Sequence, residues 1–453
     1  MISRRQLMIG GLGLAALPGA SGLIAVPPAG AVLVTAHRRP GDRDDTAAFE
    51  RALATGRPVH VPAGHYEIAD CRLGNGARLS GEGQASVIRV RAGRPGLRAE
   101  SGATGRFLRG LVLRDLVIEG RSVEAGFAEH AHLLRLDGVE DVQVERVSFR
   151  GFQGDGLYLG SGLQPGEERH NRRIVVRGCR FDGINRQNRN AISVIDGDDV
   201  RIEGCSFMNC TRPDMPGPID LEPDAQAFAV IRKIQVIGNQ FAGNGGNVGE
   251  IALQVPAAVR ALPRDIVIRD NRFRDYRGTG AEVALNVFRA TGAADPDMGV
   301  AISGNQGQGG HAPYSFVSAK GVRASGNVWT DYRIGTLVGW RDPASLGRDI
   351  QIADRFVRCG AGAGAAIAIV NADGLSLDGS AFIDPAGNAA GATAILLASD
   401  GRSRRLSLRG VTVRGRGAGL RAVRRDSGHR LDPGGNAESG NDFGGLAADR
   451  IAP

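Results

Sequence analysis

The 453-residue chain carries 68 glycines, 42% hydrophobic residues and only 5% aromatic ones. That is little aromatic mass for an ordinary α/β enzyme, and the glycines follow no collagen period. The formal charge of +8 comes almost wholly from arginine, with lysine only at 233 and 320 and no basic patch interleaved with aromatic residues, so nucleic acid is not an expected partner. Five cysteines (71, 179, 205, 210 and 359) without a C-x-x-C spacing exclude a zinc or thiol-redox motif, and their odd number leaves at least one thiol unpaired.

In chain order, "SRRQLMIGGLGLAALPG" places Arg4 and Arg5 before a Gly/Ala-rich apolar stretch, which resembles a twin-arginine export signal. Residues 1–31 are assigned to it, with cleavage expected between 22 and 31 at Ala20–Ser21–Gly22 or Ala29–Gly30–Ala31. The stretch is short and broken by glycine, and no second long apolar run follows, so a permanent membrane span is not expected. The expected location is periplasmic or secreted, with the twin-arginine export machinery as a partner. Residues 32–104 read as a cap and entry coils. "GDRDDTAAFERAL" predicts a short helix starting at Asp44 or Asp45, with Phe49, Ala52 and Leu53 on its apolar face. It would cover the raw strand edges at one end of a stacked-strand fold.

From 105 to 425 the chain repeats. "DVQVERVSF" (141–149), "RIVVRGCRF" (173–181), "DVRIEGCSF" (199–207), "KIQVIGNQF" (233–241) and "DIVIRDNRF" (265–273) share one pattern, and "GVRASGNVW" (321–329) continues it. Alternating apolar residues make a half-buried strand, and Gly or Asp before Asn or Cys makes the turn. About ten residues later comes a second short strand, as in "GLYLG", "AISVI", "PIDLE", "EIALQV" and "EVALNV". Such irregular repeats predict an all-β, right-handed parallel β-helix of roughly 10–11 coils, with 426–453 as a C-terminal tail or cap. A β-propeller, whose blades need about 40 residues or more, is the rival. Asn239, Asn271, Asn305 and Asn327 share a repeat position and should form an internal amide ladder. Cys179 and Cys205 should be stacked, buried thiols, and Trp329 a core residue.

The segments "DDTAAFERAL", "GRPVHVPAGHYEI" and "GARLSGEG" are similar to the entry of pectate-lyase-like β-helix proteins. With Arg4–Arg5 and the repeats, nearly the whole chain resembles twin-arginine-translocated repeat proteins of the pectin-lyase superfamily, a group without an assigned activity. The superfamily holds lyases, hydrolases, epimerases and non-catalytic proteins, so the resemblance implies fold and export more than chemistry.

In the second-strand register Ile219 and Leu221 point inward, so Asp220 and Glu222 of "PIDLEPD" point outward. One outward row is Tyr158, Ser193, Asp220, Ala252 and Ala284; the next holds Glu222, Gln254 and Asn286. In the resembled enzymes this face commonly holds the substrate. Asp220 and Glu222 are candidate catalytic residues, and a carboxyl separation of roughly 6.5–9.5 Å would suit an inverting hydrolase. Alternatively Asp220, Glu222 and Asp224 could bind Ca²⁺, with Arg212 or Arg289 serving lyase or epimerase chemistry. Tyr158, Gln254, Asn286, Arg289 and His311 are candidate substrate contacts. His130 and His132 read as a solvated pair, and "DGDD" at 196–199 as ordinary turn chemistry. The missing polygalacturonase signatures weaken the hydrolase reading. The expected partner is an acidic polysaccharide, bound and, if the chain is an enzyme, cleaved or epimerised; the alternative is a non-catalytic envelope or carbohydrate-binding solenoid.

Overall fold

The computed structural model describes residues 27–452, apart from 102–106, 163–168, 225–228, 260 and 343. Arg4 and Arg5, and with them the export signal, lie outside the described residues. Strand stacks the chain in register, coil upon coil. Val142, Ile174, Val200, Ile234, Ile266, Val300, Val322 and Ile350 form one continuous parallel column. A second column runs through Leu157, Ile192, Ile219, Ile251 and Val283. This is a parallel β-helix, and its core is the column of inward side chains.

The turn that ends the first of these strands explains the repeat motif. Gly178, Gly204 and Gly238 have φ of 60°, 61° and 64°, and Asp270 takes the same place at 57°. That left-handed conformation favours Gly and, among other residues, Asp and Asn. The next position is the predicted ladder. The Oδ1 of Asn271, Asn305 and Asn327 each accepts the backbone N–H of Asn239, Asn271 and Asn305 respectively, all at 2.9 Å. The ladder runs one coil further than the sequence suggested: Asp354 Oδ1 accepts the N–H of Asn327 at 2.9 Å. Its Oδ2 accepts the Tyr314 hydroxyl at 2.6 Å.

The scarce aromatics concentrate at one register position. Phe149, Phe181, Phe207, Phe241 and Phe273 stack with centroids 4.7, 5.1, 4.7 and 4.9 Å apart, matching the spacing of about 4.8 Å between paired strands. At the next coil the position is Gly307, where a Cβ would lie 2.5 Å from the Trp329 ring. The glycine lets buried Trp329 reach across to Phe273. All five cysteines are free and buried, including the stacked pair Cys179 and Cys205.

The capping helix α1 spans Thr46–Leu53 and buries Ala48, Phe49 and Ala52, while Leu53 is partly buried against the core. Asp44 Oδ1 accepts the Thr46 N–H at 2.9 Å, whereas Asp45 turns to the N–H of Glu67. At the other end coiling continues into the segment expected to be a tail, since Ala437–Ser439 pairs with Ser407–Arg409. Among the described residues no helix is long and apolar enough to cross a membrane.

Candidate functional site

The outward row has the predicted register: Tyr158, Ser193, Asp220, Ala252 and Ala284 are paired neighbours on successive coils. Gln254 and Asn286 are neighbours in the next row, one residue beyond the pairing that would align Glu222 with them. Their accessibility differs from the expectation. Asp220 and Ser193 are 0% exposed, while Tyr158, Glu222, Gln254 and Asn286 are half-buried. The loop before Ile192–Val194 folds over the row and supplies the cover: Asn190 Nδ2 donates to Asp220 Oδ2 at 3.1 Å and to Ser193 Oγ at 2.9 Å.

Arg189, from the same loop, is the centre of a buried charge network. Its Nη1 lies 2.9 Å from Asp155 Oδ2 and donates to Ser193 Oγ at 3.0 Å. Asp155 is 0% exposed, and its backbone N–H donates to His132 Nδ1 at 3.1 Å. His132 is itself buried and stacks on the Tyr158 ring with centroids 4.4 Å apart. Burial pushes the Asp155 carboxyl up, but the charge of Arg189 and the contact with His132 more than offset this and hold it below its ordinary range. Burial also works against the charge of Arg189, yet Asp155 and Asp220 keep it protonated.

Asp220 and Glu222 behave oppositely. Burial and then the charge of Glu222 raise Asp220 well above the usual carboxylate range, with Arg189 opposing. Burial raises Glu222, and nearby Asp224 adds to this while Arg189 works against it. Each carboxyl influences the other: Glu222 raises Asp220, whereas Asp220 works against the rise of Glu222. Burial, then the charges of Asp224 and Asp137, push the Tyr158 hydroxyl up to about 12.

Several expectations change. Arg212 does not join the pair: its guanidinium stacks over Phe127 at 4.4 Å and its Nε lies 2.6 Å from Asp214. Arg189 occupies the place imagined for it. Arg289 is engaged by Asp295 at 3.2 and 3.0 Å, where it pins its own loop. His311 is half-buried three coils from Asp220, about 14 Å along the axis, and burial followed by the charge of Arg333 lowers its pKa. His132 is not solvated but part of the network. Nor is Asp196 only a turn residue, because its carboxylate holds His170. Asp199, with φ of 65°, is the turn residue of "DGDD".

Among the described residues no three His, Cys, Asp or Glu side chains converge as a cage. The positive charge beside Asp220, Glu222 and Asp224 is already supplied by Arg189.

A family model described as a right handed beta helix region matches residues 132–291, the segment that holds the network. The chain is similar to the A-module of the mannuronan C-5 epimerase AlgE6 of Azotobacter vinelandii, with 18% identity over 92% of this chain and 99% of that one, at a TM-score of 0.53. It is also similar to the pre-mature gene product 12 of bacteriophage phi29, with 14% identity over 91% of this chain and 57% of that one, again at 0.53. Comparison with curated protein sequences gave no match. At such identities the likeness is one of fold, and by it the chain is a right-handed parallel β-helix.

Proposed function

We propose that this is an exported protein that binds an acidic polysaccharide along the outward strand face and acts on it by proton transfer, in a lyase or epimerase sense. The observation that carries the reading is the network under that face. Asp155, Asp220 and His132 are withdrawn from water around Arg189, while Tyr158 and Glu222 remain at its surface. Burying unpaired charge costs several kcal/mol per ion, and groups with opposed pKa shifts in one place mark functional sites.

The chemistry follows from the protonation states. Burial raises both Asp220 and Glu222 and Arg189 adds positive charge beside them, so this part of the face favours neutralising the carboxylate of a uronate. Neutralising that carboxylate acidifies the adjacent C–H, the step that elimination and epimerisation have in common. Tyr158 stays protonated at neutral pH and is a proton donor beside it. Gln254 and Asn286 extend the polar row along the next coils for further sugar units. A structural neighbour named as a mannuronan epimerase gives the fold a precedent for such work. Arg4 and Arg5 are proposed to direct export, to the periplasm or medium.

A panel of polyuronates incubated with mature protein tests this. Ultraviolet absorbance reports the unsaturated product of elimination, and proton NMR of the polymer reports epimerisation. The expected result is turnover of one polymer, lost by about 10²-fold or more in Glu222→Gln. No change in any polymer, with no binding by calorimetry, refutes the reading. Binding without turnover moves the protein to the non-catalytic alternative, which the complete cover over Asp220 favours.

A further inference from the structure

A second arrangement suited to proton transfer stands where the outward strands end, outside the network around Arg189. His170 and Asn171 stand just before the strand Arg172–Arg177, which follows Leu157–Gly160 in the same coil. The Nδ1 of His170 lies 2.9 Å from both carboxylate oxygens of Asp196, on the next coil. Asp196 is 0% exposed, and its Oδ1 also accepts the backbone N–H of Val230 at 2.9 Å, so a third coil fixes it. Asn171, beside it, donates to the carbonyls of Gly160 at 2.7 Å and Asp196 at 2.9 Å and accepts the N–H of Val139 at 3.1 Å.

His170 is therefore held on both sides, and only one of its nitrogens is engaged. With Nδ1–H donated to Asp196, Nε2 carries the lone pair. Nε2 has no hydrogen-bond partner among the described residues, and the side chain is 16% exposed. A base oriented by a buried carboxylate is the geometry that general-base catalysis uses. Tyr158 belongs to the same coil, and Glu222 follows Ile219–Leu221, the next outward strand after Ile192–Val194 and Asp196.

We propose that His170 is the general base of this face and Asp196 its positioning residue. This rests on the reading of the face as a polyuronate site. Nε2 takes the proton from the carbon next to the uronate carboxyl, and the C–H electron pair passes into that carboxyl, whose charge Arg189 offsets. In epimerisation the pair returns to carbon as the Tyr158 hydroxyl delivers its proton to the opposite face. In elimination the pair becomes a C=C bond, the glycosidic C–O bond breaks, and Tyr158 protonates the departing oxygen. The imidazolium then returns its proton to the tyrosinate, which restores both groups.

Two measurements test it. In the wild-type protein, nitrogen-15 NMR of labelled histidine should show His170 as the neutral Nδ1–H tautomer, and an Nε2–H tautomer overturns the proposal without any substrate. On the polymer the wild type turns over, His170→Gly should lose about 10²–10⁴-fold in kcat, with KM little changed and activity partly restored by added imidazole. Asp196→Asn should lose activity through a changed tautomer. A folded His170→Gly that keeps its kcat, or that imidazole does not rescue, overturns the proposal. If Glu222→Gln is dead while His170→Gly is fully active, this proposal alone fails; if the wild type turns over no polyuronate, the reading of the face falls with it.

Discussion

Arg189 shows how much one residue can organise when water is excluded. It holds Asp155 at 2.9 Å and lies beside Asp220, Glu222 and Asp224, so it sets the charge of every acidic group on this part of the face. Removing one partner of a buried pair leaves the other charge uncompensated, at a cost of about 3–5 kcal/mol. Asp155→Asn is therefore expected to destabilise the fold by that amount in urea unfolding, and to lower activity with it. A loss under about 1 kcal/mol would show that water reaches Arg189 and that the network is not closed. This role was not legible in the sequence. Arg189 lies in "NRQNRN", where nothing distinguishes it from Arg186, and only the folding of that loop over Ser193 and Asp220 selects it.

At the scale of the element, the coil is stabilised by columns that no single repeat can form. Phe207 packs between Phe181 and Phe241 at 5.1 and 4.7 Å, so Phe207→Ala should cost about 3–5 kcal/mol through the cavity it leaves. The amide ladder makes a sharper test. Asn271→Ala strands the buried N–H of Asn239, at about 1–3 kcal/mol once unsatisfied, while Asn239 Nδ2 keeps its bond to the Ile202 carbonyl. Asn441 makes the same backbone bond, to Val411 at 2.9 Å, but is only half-buried, so water can replace it and Asn441→Ala should cost clearly less. Equal losses in thermal unfolding would mean that the ladder owes its strength to turn geometry rather than to burial. These columns were legible beforehand because a repeat register is one-dimensional: residues one period apart must be neighbours. The continuation of the ladder into Asp354 was not, since an aspartate at that position does not match the Asn/Cys pattern.

Over the whole molecule, buried acids tie stability to pH. Glu250 and Glu282 stand opposite each other on adjacent coils, both 0% exposed. Asn244 Nδ2 donates to Glu250 at 2.9 Å and the Tyr332 hydroxyl to Glu282 at 2.9 Å. Burial pushes Glu282 up to about 8 from an ordinary 4.5, and burial together with the charge of Glu282 raises Glu250 well above it. The folded chain thus binds more protons than the unfolded one across this window. Stability from the pair is complete below about 4.5 and is lost as pH rises toward about 8. Unfolding free energy measured across that range should fall with pH, and Glu282→Gln should flatten the fall; a pH-independent wild type would mean that the pair is hydrated. By itself, the sequence determined the coil, the inward and outward parity of each strand and the aromatic and amide columns, because period and alternation suffice to fix neighbours along a stack. Only the tertiary structure decided which outward residues lie under cover, that Arg189 rather than Arg212 meets Asp220, and that His170 meets Asp196. Those contacts come from irregular loops of differing length, whose paths across the strand face no period encodes.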